Sequence, residues 1–294
     1  MLKTEGPLLP TSFGSRLQKG FEKYGQLCVG IDPHASLLAE WALDDSVEGL
    51  RSFAFTVLDA AVGRVAVIKP QVSFFERHGS KGFEVLEQLA QRAAESDIQV
   101  IMDAKRGDIG STMDGYFDAW LGKTAPFLCD ALTLSPYLGF DSLQTVMSES
   151  LERGKGLFVL AATSNPEGKQ IQRARSGENT VAAQIYSSLE AANKISADAH
   201  ATVGSFGAVV GATLNLSAFG LGSIQSDANQ LTAILAPGFG AQGAELSDVA
   251  DLFGASSNRV LASVSRSVLA GGSGQLAAAI DSAKAELAAG LKHD

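Results

Sequence analysis

The chain has 294 residues, of which 46% are hydrophobic and 19% are charged, and its formal net charge is -9. This composition is close to the globular norm and excludes a disordered chain, a collagen and a disulfide-rich scaffold. The acidic balance disfavours a nucleic acid as partner, because binding to nucleic acids needs a basic surface.

The N-terminal segment and the two cysteines bear on the cellular compartment of the protein. Residues 1–20, MLKTEGPLLPTSFGSRLQKG, are interrupted by charges and prolines, which predicts no secretory signal. No apolar run approaches the roughly 18 residues of a membrane span. Cys28 and Cys129 lie in apolar segments and are predicted to be buried thiols. We therefore expect a cytoplasmic protein that binds no membrane.

Short runs rich in Val, Ile, Leu and Ala alternate with longer stretches of helical spacing, which is typical of parallel strands joined by crossover helices. The predicted strands are 27–32, 65–71, 100–106, 131–136, 156–164, 208–213, 233–238 and 259–266. The predicted helices are 47–63, 82–96, 112–121, 139–154, 180–196 and 245–254.

Eight strand–helix units in this length favour a closed (β/α)8 TIM barrel, an α/β fold, over an open doubly wound sheet. We expect residues 1–294 to form this barrel as a single domain. The first and fifth βα connections are extended, and the segment 165–180 in the fifth is predicted to be a functional loop or lid.

Polar residues stand at the carboxyl ends of the predicted strands, although barrel strands should be almost entirely apolar. Active sites of such barrels lie at this face, so these ends predict one polar mouth. The residues are Asp32, Lys69, Asp103, Lys105, Ser135, Thr163, Ser164, Thr213 and Arg266.

The third strand, in VIMDAKRGDIGST, carries the densest charge. A period of two places Asp103 and Lys105 on one face, pointing into the barrel, while Asp108 begins the following loop. Lys69 on the neighbouring strand adds a second ammonium group, and an alternating array of this kind can keep each member ionised. Taken singly, each residue could instead have a purely structural role. Asp103 and Lys105 could form an ion pair that fills the barrel, and Asp108 could cap the following helix.

The last two strands are followed by loops suited to an anion. APGFGAQG (236–243) is rich in glycine, and SRSVLAGG (265–272) offers Arg266. Loops after strands seven and eight are the usual phosphate site of this fold. The four histidines, His34, His78, His200 and His293, lack the spacing of metal ligands, so no metal site is predicted.

A phosphate site beside two ammonium groups suits a small phosphorylated substrate whose reaction develops negative charge on carbon. A lysine would stabilise that charge and deliver a proton. The segment Asp103–Thr112 resembles the DxKRxDIxxT signature of the orotidine 5'-phosphate decarboxylase family. Seven further segments resemble the larger bacterial (type 2) subgroup of that family and occur in the same order. They are GIDPH, IKPQVSFFERHG, LSPYLGF, LAATSNPEG, VGAT, PGFGAQG and SRSV.

The resemblance implies a cofactor-free and metal-free decarboxylation of orotidine 5'-phosphate to uridine 5'-phosphate. Lys105 would protonate C6 of the pyrimidine as carbon dioxide departs, and Asp103 with Lys69 would complete the charged network. Asp32 and Lys69 would contact the ribose hydroxyls. Asp108 and Thr112 would reach into the neighbouring subunit's site, which implies a homodimer with shared active sites.

The resemblance also implies how the base and the phosphate are held. Ser135 would read the pyrimidine edge, Pro237 and Phe239 would line the base pocket, and Gln242 would bridge base and phosphate. Arg266 would hold the phosphate together with backbone amides. Two alternatives remain: a metal-assisted sugar-phosphate decarboxylase or aldolase on the same barrel, and a nucleotide-binding barrel without activity.

Overall fold

A computed structural model describes residues 10–198 and 200–292 of the chain. Residues 1–9 of the segment tested for a secretory signal, and His293 among the histidines, lie outside the described residues. Within the described ranges, no helix is long and apolar enough to cross a membrane.

Eight parallel strands close into a barrel in which every strand pairs with its neighbours in chain order. This confirms the predicted (β/α)8 architecture, and each strand lies within a few residues of its predicted position. The strands are β1 (Leu27–Ile31), β2 (Val67–Pro70), β3 (Gln99–Arg106), β4 (Ala131–Leu134), β5 (Gly156–Ala162), β6 (Phe206–Val210), β7 (Ala233–Pro237) and β8 (Val260–Val264).

The helices surround the barrel, and the six predicted ones are present. The helices of the described residues are α1 (Phe13–Tyr24), α2 (Ala35–Glu40), α3 (Val47–Ala61), α4 (Val72–Glu76), α5 (Gly79–Ala94), α6 (Gly110–Trp120), α7 (Gln144–Glu152), α8 (Lys169–Gln172), α9 (Val181–Ser196), α10 (Ser223–Ser226), α11 (Val249–Phe253), α12 (Arg266–Leu269) and α13 (Leu276–Gly290). The predicted ones are α3, α5, α6, α7, α9 and α11. The sequence did not predict the other seven helices, α1 and α13 among them; in α13, alanines on all sides of the helix weaken its apolar periodicity.

The first and fifth βα connections are extended, as predicted. The first contains α2 and α3. The fifth contains a 3-10 turn (Pro166–Gly168), α8, an antiparallel pair of short strands (Arg175–Ser176 with Asn179–Thr180) and α9. The segment 165–180 therefore carries regular structure of its own.

Helix α1 closes the amino-terminal end of the barrel. Its Phe13 and Leu17 are fully buried in the barrel interior, where Phe13 meets Phe158 of β5 edge to face at 6.0 Å. Ser12 caps the helix by accepting a hydrogen bond from the Ser15 N–H at 3.2 Å. Among the described residues, α1 covers this end, and the cavity of the barrel lies at the opposite end, where the strands carry their polar carboxyl ends.

Candidate active site

A cavity of about 580 Å³ lies at the carboxyl ends of the strands. This is the face that the sequence predicts, and strands from across the barrel contribute to it. It brings together eight of the predicted site residues, namely Asp32, Lys69, Asp103, Lys105, Pro237, Phe239, Gln242 and Arg266.

Asp103 is the centre of the charged group at the base of this cavity. Its Oδ2 lies 2.9 Å from Nζ of Lys69, and its Oδ1 lies 2.6 Å from Nζ of Lys105. The side chains of Lys69 and Asp103 are only 8% and 10% exposed, whereas that of Lys105 is 44% exposed. The buried pair of Lys69 and Asp103 thus holds a second, accessible ammonium group, that of Lys105, in the cavity.

The charges keep one another ionised. Burial by itself raises the pKa of Asp103, but the ammonium groups of Lys69 and Lys105 outweigh it and hold this pKa far below its usual range. Burial likewise lowers the pKa of Lys69, but the carboxylates of Asp103 and Asp32 outweigh it, so the pKa lies above its usual range. At neutral pH, Asp103 is a carboxylate and Lys69 is an ammonium ion.

The backbone of β3 departs from the regular pleat that the sequence predicts. Its pairing with β4 passes from Met102–Leu132 to Arg106–Leu134, so β3 contains extra residues at this point. Lys105 adopts a φ of 49°, a left-handed conformation that costs a residue with a side chain about 1–3 kcal/mol. Asp103 and Lys105 do face the same cavity, but through a bulge and not through simple alternation.

The glycine-rich loop after β7 folds tightly against the loop after β8. The N–H of Gly240 donates to the carbonyl of Ala244 at 2.8 Å. Gly240 has a φ of 70°, and a Cβ atom here would lie 2.6 Å from the Cβ of Ser267, so only glycine fits this close approach. Arg266 begins α12 beside this loop, lines the cavity and makes no ion pair with any described residue.

The fifth connection meets the glycine-rich loop over the cavity. Ser164 Oγ donates to Gln242 Oε1 at 3.0 Å, which joins the end of β5 to the loop after β7. Gln172 of α8 accepts from the Thr163 N–H at 2.9 Å and donates to Thr163 Oγ1 at 2.7 Å. The first part of the predicted lid is therefore tied to the cavity wall.

Three predicted site residues do not line this cavity. The structure turns Ser135 toward a neighbouring cavity of about 620 Å³, because β4 ends at Leu134 and the Ser135 N–H donates to the Arg106 carbonyl at 2.7 Å. Asp108 is half-buried and accepts from the N–H of Ile109 at 2.8 Å. Thr112 is exposed on α6.

Other polar residues line the cavity although the sequence did not single them out as site residues. Thr133 and Ser263 are polar positions inside buried strands, which is the same signal that identified Asp103. Ser164 and Thr163 were recognised only as polar strand ends, yet they reach the cavity where Ser135 does not. The full set of such residues is His34, Gln71, Thr133, Thr163, Ser164, Asn165, Gln172, Ser263 and Ser265.

The comparison with protein-family models decides the family. Residues 25–280 match the model described as "Orotidine 5'-phosphate decarboxylase / HUMPS family". The chain belongs to this family.

Relatives and a solved structure agree with the assignment to the decarboxylase family. An orotidine 5'-phosphate decarboxylase of Streptomyces coelicolor is 52% identical over 259 residues, which cover 87% of this chain and 89% of the relative. One from Nocardioides sp. is 48% identical, covering 87% of this chain and 91% of the relative. A crystal structure of a Streptomyces avermitilis protein assigned to the same activity has a TM-score of 0.89 at 47% identity and covers 99% of both chains.

The family assignment confirms the resemblance seen in the sequence, including its bacterial character. The region matched to the decarboxylase family contains every predicted site residue, from Asp32 to Arg266, and excludes α1. Among the residues that the structure describes, no group of three or more His, Cys, Asp and Glu side chains could hold a metal ion.

Proposed function

We propose that the protein converts orotidine 5'-phosphate to uridine 5'-phosphate and carbon dioxide, the last step of de novo pyrimidine nucleotide synthesis, without a cofactor. The observation that carries this proposal is the contact of Asp103 with both Lys69 and Lys105 in a cavity that also contains Arg266. Relatives that are 52% and 48% identical bear the name of this activity.

The nucleotide is held at three points. Arg266 and the backbone of the glycine-rich loop bind the phosphate, because the arginine makes no ion pair with a described residue and faces the cavity. Pro237, Phe239 and Gln242 enclose the pyrimidine, and Asp32 with Lys69 contacts the ribose hydroxyls. Ser164 is a better candidate than Ser135 for reading the pyrimidine edge, because it lines the cavity and bonds to Gln242.

The reaction breaks the bond between C6 and the carboxylate carbon, and the electron pair of that bond stays on C6. The Lys105 ammonium group stabilises this charge and transfers a proton from Nζ to C6, forming the new C–H bond. Lys105 is then neutral, and its side chain, 44% exposed, takes up a proton from solvent. Asp103 stays ionised throughout, because buried Lys69 remains an ammonium ion beside it after Lys105 has given up its proton.

One lysine alone is insufficient for this catalysis. Two unit charges about 4 Å apart interact by roughly 4 kcal/mol at an effective dielectric constant near 20. Enzymes lower barriers by about 8–23 kcal/mol. The remainder comes from the fixed orientation of the charged group and from binding energy at the phosphate, so Arg266 contributes to catalysis as well as to affinity.

The active form is a homodimer with shared sites. Asp108 and Thr112 belong to the signature segment but do not line the cavity of their own chain. Ile109 beside Asp108 is 60% exposed, and Tyr137 and Leu138 in the next loop are 74% and 52% exposed. These exposed apolar side chains lie near predicted site residues that do not line their own chain's cavity. Such a surface is suited to an interface at which Asp108 and Thr112 complete the partner's site.

The enzyme acts in the cytoplasm on a small nucleotide and does not bind nucleic acids. Cys28 and Cys129 are buried free thiols, which suits a reducing compartment. The net charge of -9 repels a polyanion, whereas the local cationic groups Lys69, Lys105 and Arg266 attract one phosphorylated nucleotide.

The test is to incubate the purified protein with orotidine 5'-phosphate in EDTA and to follow the loss of the substrate's ultraviolet absorbance. We expect turnover without added metal. Turnover only after addition of magnesium, with activity on a pentulose or hexulose phosphate, would instead support a metal-assisted sugar-phosphate enzyme. Binding of uridine 5'-phosphate without any decarboxylation would mark a nucleotide-binding protein and overturn the proposal.

A further inference from the structure

Thr133 of β4 contacts both charged residues of β3. Its hydroxyl donates to Asp103 Oδ1 at 3.0 Å and accepts from the backbone N–H of Lys105 at 2.9 Å. The directions are determined by the groups themselves, because an ionised carboxylate only accepts and an N–H only donates. Thr133 is 1% exposed, so no bulk water competes for either bond.

The bulge explains why a side chain is needed at this position. Between the pairs Met102–Leu132 and Arg106–Leu134, the backbones of β3 and β4 are out of register, and Thr133 stands opposite the extra residues. The Thr133 hydroxyl therefore accepts from Lys105 where a regular ladder would use a backbone carbonyl. The left-handed conformation of Lys105 persists because surrounding contacts hold it.

We propose that Thr133 is a positioning residue, whose hydroxyl holds the backbone of Lys105 and the carboxylate of Asp103 so that the Lys105 ammonium group is aimed at C6. The inference rests on the proposed function. It extends that function to a residue that does not touch the reacting atoms and that acts only through Asp103 and Lys105. Proton transfer depends steeply on distance and angle, so loss of the hydroxyl reduces the chemical step more than it reduces binding.

Two substitutions separate the hydroxyl from the shape of the side chain. Thr133→Val keeps the branched shape and removes both hydrogen bonds, whereas Thr133→Ser keeps the hydroxyl and removes a methyl group. We expect Thr133→Val to lower kcat by about 10- to 100-fold, as a misplaced catalytic group does, with a much smaller change in KM. We expect Thr133→Ser to retain most of the activity.

Thr232 offers a matched control at the opposite end of the barrel. It is fully buried, and its hydroxyl donates to Glu190 Oε2 at 2.7 Å and accepts from Asn193 Nδ2 at 3.2 Å. Thr232→Val therefore removes the same kinds of bonds without touching the cavity. We expect this variant to lose stability while its kcat stays at the wild-type value.

The measurements are kcat and KM for orotidine 5'-phosphate, the Kd of uridine 5'-phosphate and the thermal midpoint of each variant. If Thr133→Val does not fold, Thr133→Ala takes its place, because a smaller side chain avoids a clash. A wild-type kcat in the folded Val or Ala variant would overturn the inference, and so would a Ser variant as slow as the Val variant. Failure of the proposed function is distinct, because the wild-type protein would then show no turnover in the same assay.

Discussion

Asp103 Oδ1 and Lys105 Nζ lie 2.6 Å apart, although the backbone that joins the two residues is not regular strand. Lys105 has a φ of 49°, and its backbone N–H bonds to a side chain of β4. The same carboxylate binds buried Lys69 through its other oxygen, Oδ2. One carboxylate thus orients two ammonium groups, of which only Lys105 is substantially exposed to the cavity.

Lys105→Ala is expected to abolish turnover while the fold is retained. The substitution removes the proposed proton donor, and general acid catalysis with electrostatic stabilisation is worth about a thousandfold or more in rate. The side chain is 44% exposed and Asp103 keeps Lys69, so little stability is lost. Absorbance assays measure turnover, and thermal unfolding measures the stability of the variant. The control is Lys23→Ala, which breaks an exposed ion pair with Asp97. Near-normal turnover in Lys105→Ala would refute the role of proton donor.

Asp103→Asn is expected to destabilise the protein by about 3–5 kcal/mol at neutral pH, the usual effect of breaking a buried ion pair. The pKa of Asp103 is depressed in the folded state, so its stabilisation is present above the unfolded pKa of about 3.9 and is lost as pH falls toward the folded value. The difference between wild type and variant therefore shrinks below about pH 4.

Urea unfolding at a series of pH values measures this difference. Asp59→Asn is the matched control, because Asp59 pairs with Arg92 at 2.7 Å but is 54% exposed, where ion pairs contribute little. A stability difference for Asp103→Asn that does not change with pH would contradict the proposed ionised state of Asp103.

Arg266→Ala is expected to weaken phosphate binding. Hydrogen bonds to charged groups contribute about 1.5–3 kcal/mol, so KM for the substrate should rise by roughly 10- to 100-fold. The Kd of uridine 5'-phosphate, measured by calorimetry, should rise by a similar factor. Arg92→Ala on the outer helix α5 serves as control. An unchanged KM and Kd in Arg266→Ala would remove Arg266 from the phosphate site.

Mixed dimers test whether active sites are shared. Lys105→Ala and Asp108→Ala subunits should each be inactive alone, whereas each hybrid dimer contains one site in which both residues are intact. Random pairing makes half of the dimers hybrid, so co-expression should restore about a quarter of the wild-type activity in a symmetric dimer. If activity is not restored although hybrids form, Asp108 does not act across the interface.

The pattern of residues along the strands predicted some of the site residues and missed others. Asp103, Lys69 and Asp32 were predictable because charges at the carboxyl ends of apolar barrel strands converge on one mouth. Thr133 carried the same signal but was missed, since a single hydroxyl in ALTLSP is easily accommodated in a core. Ser135 was expected in the cavity, but it lies just beyond the end of β4, where the direction of a side chain depends on the turn and not on strand alternation.

The sequence alone determined the eight strands, the closed barrel and the family, because hydrophobic periodicity and the DAKRGDIGST motif are local features that neighbouring residues define. Only the tertiary structure decided the bulge at Lys105, the two bonds of Thr133 and the link from Ser164 to Gln242. These features depend on the register between neighbouring strands and on loops that meet across the barrel. Such contacts join residues far apart in the chain, and no local pattern of side chains encodes their geometry.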